Sequence, residues 1–288
     1  MTKNDRNPIQ RWWATNPMTY GTIHGSADYA GKKIEMGSRE FFEQLDQEFY
    51  GWNSNLHATR KFDRLFPYDE YANGARILEI GCGMGTMAMN WALNGSNVTA
   101  VDLNLTSIEQ TRQRFDLFGL NGDIRQMDAN ELEFADETFD YVYSWGVLHH
   151  SPDLAKSLRE MMRVLRKGGG FGLMLYSRQS IFYSYKIRYL EGFLHLENRF
   201  LSPLELASRY TDAAEKEGNL HTWPVTVSEL RTMLSPDAKD LKFRRFGEEV
   251  GDIFKYLLPG VALLLPRWVT QPWRRHFGWS IWANGHKD

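Results

Sequence analysis

Cysteine, long apolar runs and net charge are all scarce in this chain. One cysteine, Cys82, among 288 residues excludes an internal disulfide framework and fits a reducing compartment. The longest apolar stretch, 257–266, has ten residues and carries two prolines. A membrane-spanning helix needs about 20 apolar residues. The stretch is too short to span, and only peripheral contact with lipid through the wider segment 253–269 is left open. The start, Met-Thr-Lys-Asn-Asp-Arg-Asn-Pro, lacks the apolar core of a secretion signal, so a cytoplasmic location is expected. A net charge of −2 argues against a general nucleic-acid binder. With 42% apolar and 24% charged residues, the chain has an ordinary globular composition, long enough for one α/β domain with an added cap.

Aromatic residues are in excess, at 14% with ten tryptophans. Many flank the central region: Trp12, Trp13, Tyr20, Phe41, Phe42, Tyr50 and Trp52 on one side, Trp268, Trp273, Trp279 and Trp282 on the other. Core packing accounts for most such residues. The alternative is a pocket for a flat or apolar acceptor, and an aromatic box also favours a sulfonium or ammonium cation.

The most informative segment is Ile77-Leu-Glu-Ile-Gly-Cys-Gly-Met-Gly-Thr86. An apolar strand runs into glycines at alternate positions, and a helical apolar pattern follows. The next apolar run, Asn97-Val-Thr-Ala-Val-Asp102, ends in an acid 17 residues beyond Gly85. Strand, glycine loop, helix, and a strand ending in a carboxylate form half of a nucleotide-binding βαβ unit. Glycines let the backbone approach a ligand, the helix start offers free N–H donors, and the acid can accept ribose hydroxyls. A dinucleotide fingerprint needs a third glycine at position 86, which is Thr86.

The pattern Glu79-x-Gly81-x-Gly83-x-Gly85 instead resembles motif I of the class I S-adenosylmethionine-dependent methyltransferases, of small-molecule type. The resemblance runs from about 77 to 175 through Arg125-Gln-Met-Asp-Ala129, Phe139-Asp-Tyr-Val-Tyr-Ser-Trp-Gly-Val-Leu-His-His-Ser-Pro-Asp153 and Leu158-Arg-Glu-Met-Met-Arg-Val-Leu-Arg-Lys-Gly-Gly169. It implies S-adenosyl-L-methionine as cofactor and a small-molecule acceptor, hydrophobic or aromatic, methylated at oxygen, nitrogen or carbon. It further implies that Gly81, Gly83 and Gly85 form the turn under the cofactor, with Cys82 lending backbone. Glu79 would orient the loop or the cofactor ammonium. Asp102 would hold the ribose and Asp128 the adenine amino group, with Leu103 and Ala129 on the adenine edges. Ser144 and Trp145 would meet the methionyl portion. His149 and His150, just past the fourth strand, are candidate bases with pKa values suited to neutral pH, although such a pair can also only pack or cap a helix. Tyr20 and Tyr176 are further acceptor contacts. Arg60 would make either a cofactor contact or a surface ion pair. No metal site is expected, because no further carboxylate or histidine shows ligand spacing. The rival readings are a NAD(P)-dependent reductase, against which Thr86 and the lack of a Tyr-x-x-x-Lys pair after the fifth strand argue, and a non-catalytic cofactor-binding module.

The fold class expected is α/β: a Rossmann-like, seven-stranded, mostly parallel sheet with helices on both faces and an antiparallel last strand. Strands are predicted near 76–80, 97–102, 123–127, 138–144, 170–176, 241–246 and 278–285, and helices near 85–94, 105–118 and 153–166. Residues 1–60 read as an N-terminal lid with a Ser-capped helix at 38–50 and a second short helix over 56–66. Residues 61–177 read as the cofactor-binding core and 178–224 as a helical cap insertion, in which Ser202, Pro203 and Glu205 open a helix with a capping box. Residues 225–288 complete the core, with a second insertion at 248–276. The oligomeric state is not legible.

Overall fold

Every residue of 77–80 is buried, as a strand covered on both faces must be. It belongs to β1 (Arg76–Ile80), which pairs in parallel with β2 (Asn97–Asp102) and β4 (Phe139–Trp145). β2 pairs in parallel with β3 (Asp123–Gln126). β5 (Leu165–Tyr176), β6 (Ala238–Phe246) and β7 (Ser280–Lys287) complete a seven-stranded sheet in the order β3-β2-β1-β4-β5-β7-β6, with β6 and β7 antiparallel. These features come from a computed structural model that describes residues 6–15, 34–212, 219–247, 272–273 and 275–288. Among the described residues, no helix is long and apolar enough to cross a membrane. The segment 253–269 lies outside them.

The chain divides into two compact units. One contains the residues up to Ser144 together with Arg159–Gly172, the other Trp145–Leu158 and the residues from Leu173 onward. In the first unit, α3 (Thr86–Leu93) and α4 (Leu105–Leu117) pack on β2 and β3. Trp91 of α3 is fully buried against Phe66 and Tyr68, with Phe66 also meeting Tyr143 of β4. The aromatic excess is thus largely core in this unit.

The predicted helix at 38–50 forms as α2 (Arg39–Trp52), with the Ser38 hydroxyl accepting from the Phe41 N–H. Phe41, Phe42 and Leu45 pack with Ile34 and Met84. Arg114 of α4 has no exposed surface and donates to Asp46 at 2.8 Å, its guanidinium 4.6 Å from the centre of the Phe42 ring. Tyr50 donates to the Thr86 carbonyl at 3.0 Å. This part of the N-terminal segment is therefore anchored to α3 and α4.

Two local expectations fail. The helix predicted over 56–66 is absent. Only Ser54–Leu56 makes a 3₁₀ turn, and the chain then folds around Asp63, whose carboxylate accepts the N–H groups of Ala58, Thr59 and Arg60. A side chain that satisfies three backbone donors competes with a helix for them. Secondly, β5 starts at Leu165, five residues ahead of the strand predicted near 170–176, so Lys167–Gly169 lies in strand. The glycines serve close approach: a Cβ at Gly169 would sit 2.9 Å from the Asp140 carbonyl, and one at Gly170 would sit 2.5 Å from the Tyr71 hydroxyl.

In the second unit, α6 (Pro203–Arg209) has the expected Ser202/Glu205 capping box, and α7 (Val227–Leu234) carries another from Thr226 and Glu229. The predicted aromatic helix is Phe182–Leu194, wound with wide π-type turns. Tyr183 and Ile187 on it pack with Leu206, Ala207 and Trp279.

Removing one partner of a buried ion pair leaves an uncompensated charge and costs about 3–5 kcal/mol. Asp46→Ala should therefore lower the free energy of unfolding by about 3 kcal/mol, read from the urea midpoint. Glu43→Ala, which removes only an exposed contact with Arg39, should change it by less than about 1 kcal/mol.

Candidate functional site

The loop after β1 turns on left-handed glycines: φ is +84° at Gly81, +52° at Gly83 and +76° at Gly85. Gly85 is the N-cap of α3, and a Cβ there would lie 2.8 Å from Thr111 Cγ2. The loop is pinned from below. The N–H groups of Gly81 and Cys82 both donate to the Val101 carbonyl, and the Thr111 hydroxyl donates to the Gly83 carbonyl at 2.9 Å. A Cβ on Gly83 would meet no atom within 4 Å, so the backbone is open to a ligand at that point.

Asp102 ends β2 beside this loop. Its Oδ2 accepts from the Gly83 N–H at 2.9 Å and its Oδ1 from the Asn104 N–H at 2.8 Å. Burial raises its pKa, and these backbone donors oppose the rise. A carboxylate oxygen has about two lone-pair sites, so each retains capacity for a hydroxyl. The Met127 N–H donates to the Asp102 carbonyl, which brings the next loop alongside. There Asp128 is half-buried and accepts from the Asn130 N–H at 2.8 Å. Leu103 and Ala129, also half-buried, border the two acids. The neighbouring helix α1 (Arg6–Thr15) reaches this corner: Gln10 donates to the Leu103 carbonyl and Asn104 to the Trp13 carbonyl.

Glu79 is 2% exposed, and its Oε2 has no hydrogen-bond partner. Burial, reinforced by Asp102, lifts its pKa to about 8 against the opposing influence of Tyr143. Ser144 donates its hydroxyl to the Ile80 carbonyl at 2.8 Å, which commits that proton. Trp145 packs against Phe246 and Trp282 in the second unit. Arg60 makes the surface ion pair with Asp69 at 2.9 Å. Tyr20 lies outside the described residues.

A second cluster sits wholly in the second unit. His149 and His150 occupy a short 3₁₀ turn and are buried. The chain at 219–225 is laid against them: the Trp223 N–H donates to the His149 carbonyl and the Val225 N–H to the Tyr176 carbonyl. His150 Nδ1 is 2.9 Å from the His221 carbonyl and 3.0 Å from Thr222 Oγ1, and its Nε2 is 3.4 Å from Asp212 Oδ2. Tyr176 stacks on Trp279 and donates to Asp212 Oδ1 at 2.8 Å. Among the described residues, neither ring nitrogen of His149 has a hydrogen-bond partner. Burial, together with His150 and His221, pushes its pKa well below the ordinary value. A neutral imidazole of this kind can accept a proton or ligate a cation. Leaving such a group unpaired costs about 1–3 kcal/mol. Asp212, His221 and Thr222 escaped the sequence reading because they lie some 60–70 residues beyond the histidine pair and no spacing links them to it.

A methyltransferase-domain family matches residues 78–173. The 27-O-demethylrifamycin SV methyltransferase of Amycolatopsis mediterranei is 33% identical over 160 residues, 49% of this chain and 57% of that protein. A ubiquinone biosynthesis O-methyltransferase of Methylocella silvestris is 34% identical over 152 residues, 49% of this chain and 59% of that one. The chain thus spans just over half the length of these two relatives. A solved SAM-dependent methyltransferase from Methanosarcina mazei superimposes with a TM-score of 0.54 at 21% identity, covering 77% of this chain and 98% of that one, a likeness that speaks for the fold. The glycine loop with Asp102 and Asp128, which carried the resemblance in the sequence, falls inside the matched segment, and Thr86 in place of a third glycine disfavours the dinucleotide alternative: residues 78–173 match a methyltransferase domain, with motifs that resemble the class I, S-adenosylmethionine-dependent type.

Proposed function

We propose that this chain transfers the methyl group of S-adenosylmethionine to a small, hydrophobic acceptor. The observation that carries the reading is the Asp102 carboxylate, fixed by the Gly83 and Asn104 N–H groups beside a glycine backbone open to a ligand. The residues fit the cofactor. Asp102 accepts the ribose hydroxyls, Asp128 the adenine amino group, and Leu103 and Ala129 hold the adenine edges. The orphan Oε2 of Glu79 is an acceptor for the ammonium. Ser144 contributes backbone. When bound, the cofactor supplies a methyl group already activated on a sulfonium, so the protein's task is alignment and exclusion of water, worth up to about 7–11 kcal/mol in well-oriented cases. The acceptor class rests on the apolar second unit, where Phe193 and Phe200 are exposed, and on relatives named for rifamycin and ubiquinone acceptors. A cytoplasmic location and peripheral contact with lipid belong to the same proposal.

Hydrogen bonds to a charged acceptor are worth about 1.5–3 kcal/mol each, and 1.4 kcal/mol is a factor of ten. Asp102→Ala should therefore weaken S-adenosylmethionine binding at least tenfold in calorimetry. Unchanged binding by the folded variant would remove the ribose assignment.

Glu79 gives a pH signature. Its folded pKa of about 8 exceeds the ordinary 4.5, so its contribution to stability is full below about pH 4.5 and is lost as pH rises through about 8. The cofactor-free protein should melt at progressively lower temperature over that window, and Glu79→Gln should flatten the trend. A bound ammonium favours the carboxylate, so binding should release a proton and tighten as pH rises towards 8. Binding enthalpies independent of buffer ionisation heat would refute that placement.

The lid idea narrows to the earliest residues, since α2 is anchored. S-adenosylhomocysteine should slow amide exchange in α1 together with 81–85 and 102–104. Deleting residues 1–15 should leave a folded protein with weaker cofactor binding. Undiminished affinity would exclude α1 from the site.

A further inference from the structure

The geometry points to a binding site for one first-row divalent transition-metal ion, formed by His149, His150 and Asp212 in the second unit. One ring nitrogen from each histidine and one carboxylate oxygen lie within 4.8 Å of one another. Two imidazoles and a carboxylate form a donor set suited to zinc, cobalt or nickel, whereas magnesium and calcium prefer oxygen alone.

The hydrogen-bond network fixes which atom of His150 faces the site. Asn219 Nδ2 donates to the Thr211 carbonyl, which orients the amide so that its Oδ1 accepts from Thr222 Oγ1 at 2.8 Å. The only proton of the Thr222 hydroxyl is thereby committed. His150 Nδ1 consequently faces two acceptors, that hydroxyl oxygen and the His221 carbonyl, and must carry a proton. In the neutral ring, Nε2 then directs a lone pair at Asp212 Oδ2, a contact that needs a cation between the two atoms. Their separation of 3.4 Å is long for an N–H···O bond of about 2.7–3.2 Å. It matches the distance of about 3.3 Å between two ligands of a tetrahedral ion with bonds of about 2.0–2.1 Å.

The surrounding groups do what a metal site requires of its outer shell. The backbone carbonyl at His150 Nδ1 fixes the tautomer, and the Tyr176 hydroxyl holds the other oxygen of Asp212. His149 supplies the second observation: it is fully buried, and both its ring nitrogens lack a hydrogen-bond partner among the described residues. With both imidazoles coordinated, neither is a free base, and three protein ligands leave a fourth position open.

The test uses the full chain, stripped with a chelator and dialysed against Zn²⁺ or Co²⁺ alone. Elemental analysis should find one ion per chain, and the Co²⁺ form should show visible d–d absorption. Asp212→Asn and His149→Gln should each weaken Co²⁺ binding more than tenfold, and Tyr176→Phe by about 10–100-fold, with far-ultraviolet circular dichroism unchanged. Should a variant unfold, paramagnetically shifted imidazole resonances of the Co²⁺-loaded native protein count the ligands, and two histidines are expected. No stoichiometric ion in the native protein would overturn the site and make His150 and Asp212 a proton-bridged pair. Undiminished binding by the folded variants, or fewer than two shifted histidines, would overturn it by placing the ion elsewhere. Binding and spectra are the readouts, so the outcome is separable from that of the methyl-transfer reading.

Discussion

The proposed cofactor site depends on one carboxylate held by backbone. Asp102 receives the Gly83 N–H only because the loop after β1 runs through left-handed glycines, a conformation that costs an L side chain about 1–2 kcal/mol. Thr111 of α4 closes the loop from below, and one turn later Arg114 of the same helix fastens α2. Loop, α4 and α2 form one mechanical series, in which the position of the loop backbone depends on a buried ion pair.

What the sequence revealed follows the range of the interactions involved. β1, the glycine loop, α3 and β2 were legible because each depends on neighbours within a few residues: apolar runs, left-handed glycines, a terminal acid. The capping box at Ser202 and Glu205 is equally local. The turn at 56–66 was misread because the carboxylate of Asp63 organises it, and helical spacing carries no sign of such competition. Gly169 was placed just before the predicted strand and Gly170 at its start, yet their constraint comes in part from Asp140 and Tyr71, remote in sequence. Tyr20 lies outside the described residues and keeps only its sequence-based assignment.

The histidine cluster shows the limit most clearly. His149 and His150 announced themselves, but the groups that define their chemistry come from the end of α6 and the strand-like segment after it. Asp212 takes a left-handed backbone, with φ of +49°, and offers its oxygens to Tyr176 and His150. The family match ends at residue 173, so those contributors belong to the part of the chain where resemblance gives least guidance. Similarity to known proteins describes residues 78–173; the chemistry of the histidine cluster has to be read from side chains.

The sole cysteine sits within the glycine loop. Cys82 is 6% exposed, its sulfur 3.6 Å from Thr111 Oγ1, and burial pushes its thiol pKa well above the ordinary value. A thiol-specific reagent needs the thiolate and room to approach it, and neither exists while the loop is closed. With no other sulfhydryl to compete, the rate at which the native protein is alkylated becomes a clock for loop opening, readable without adding any label to the chain.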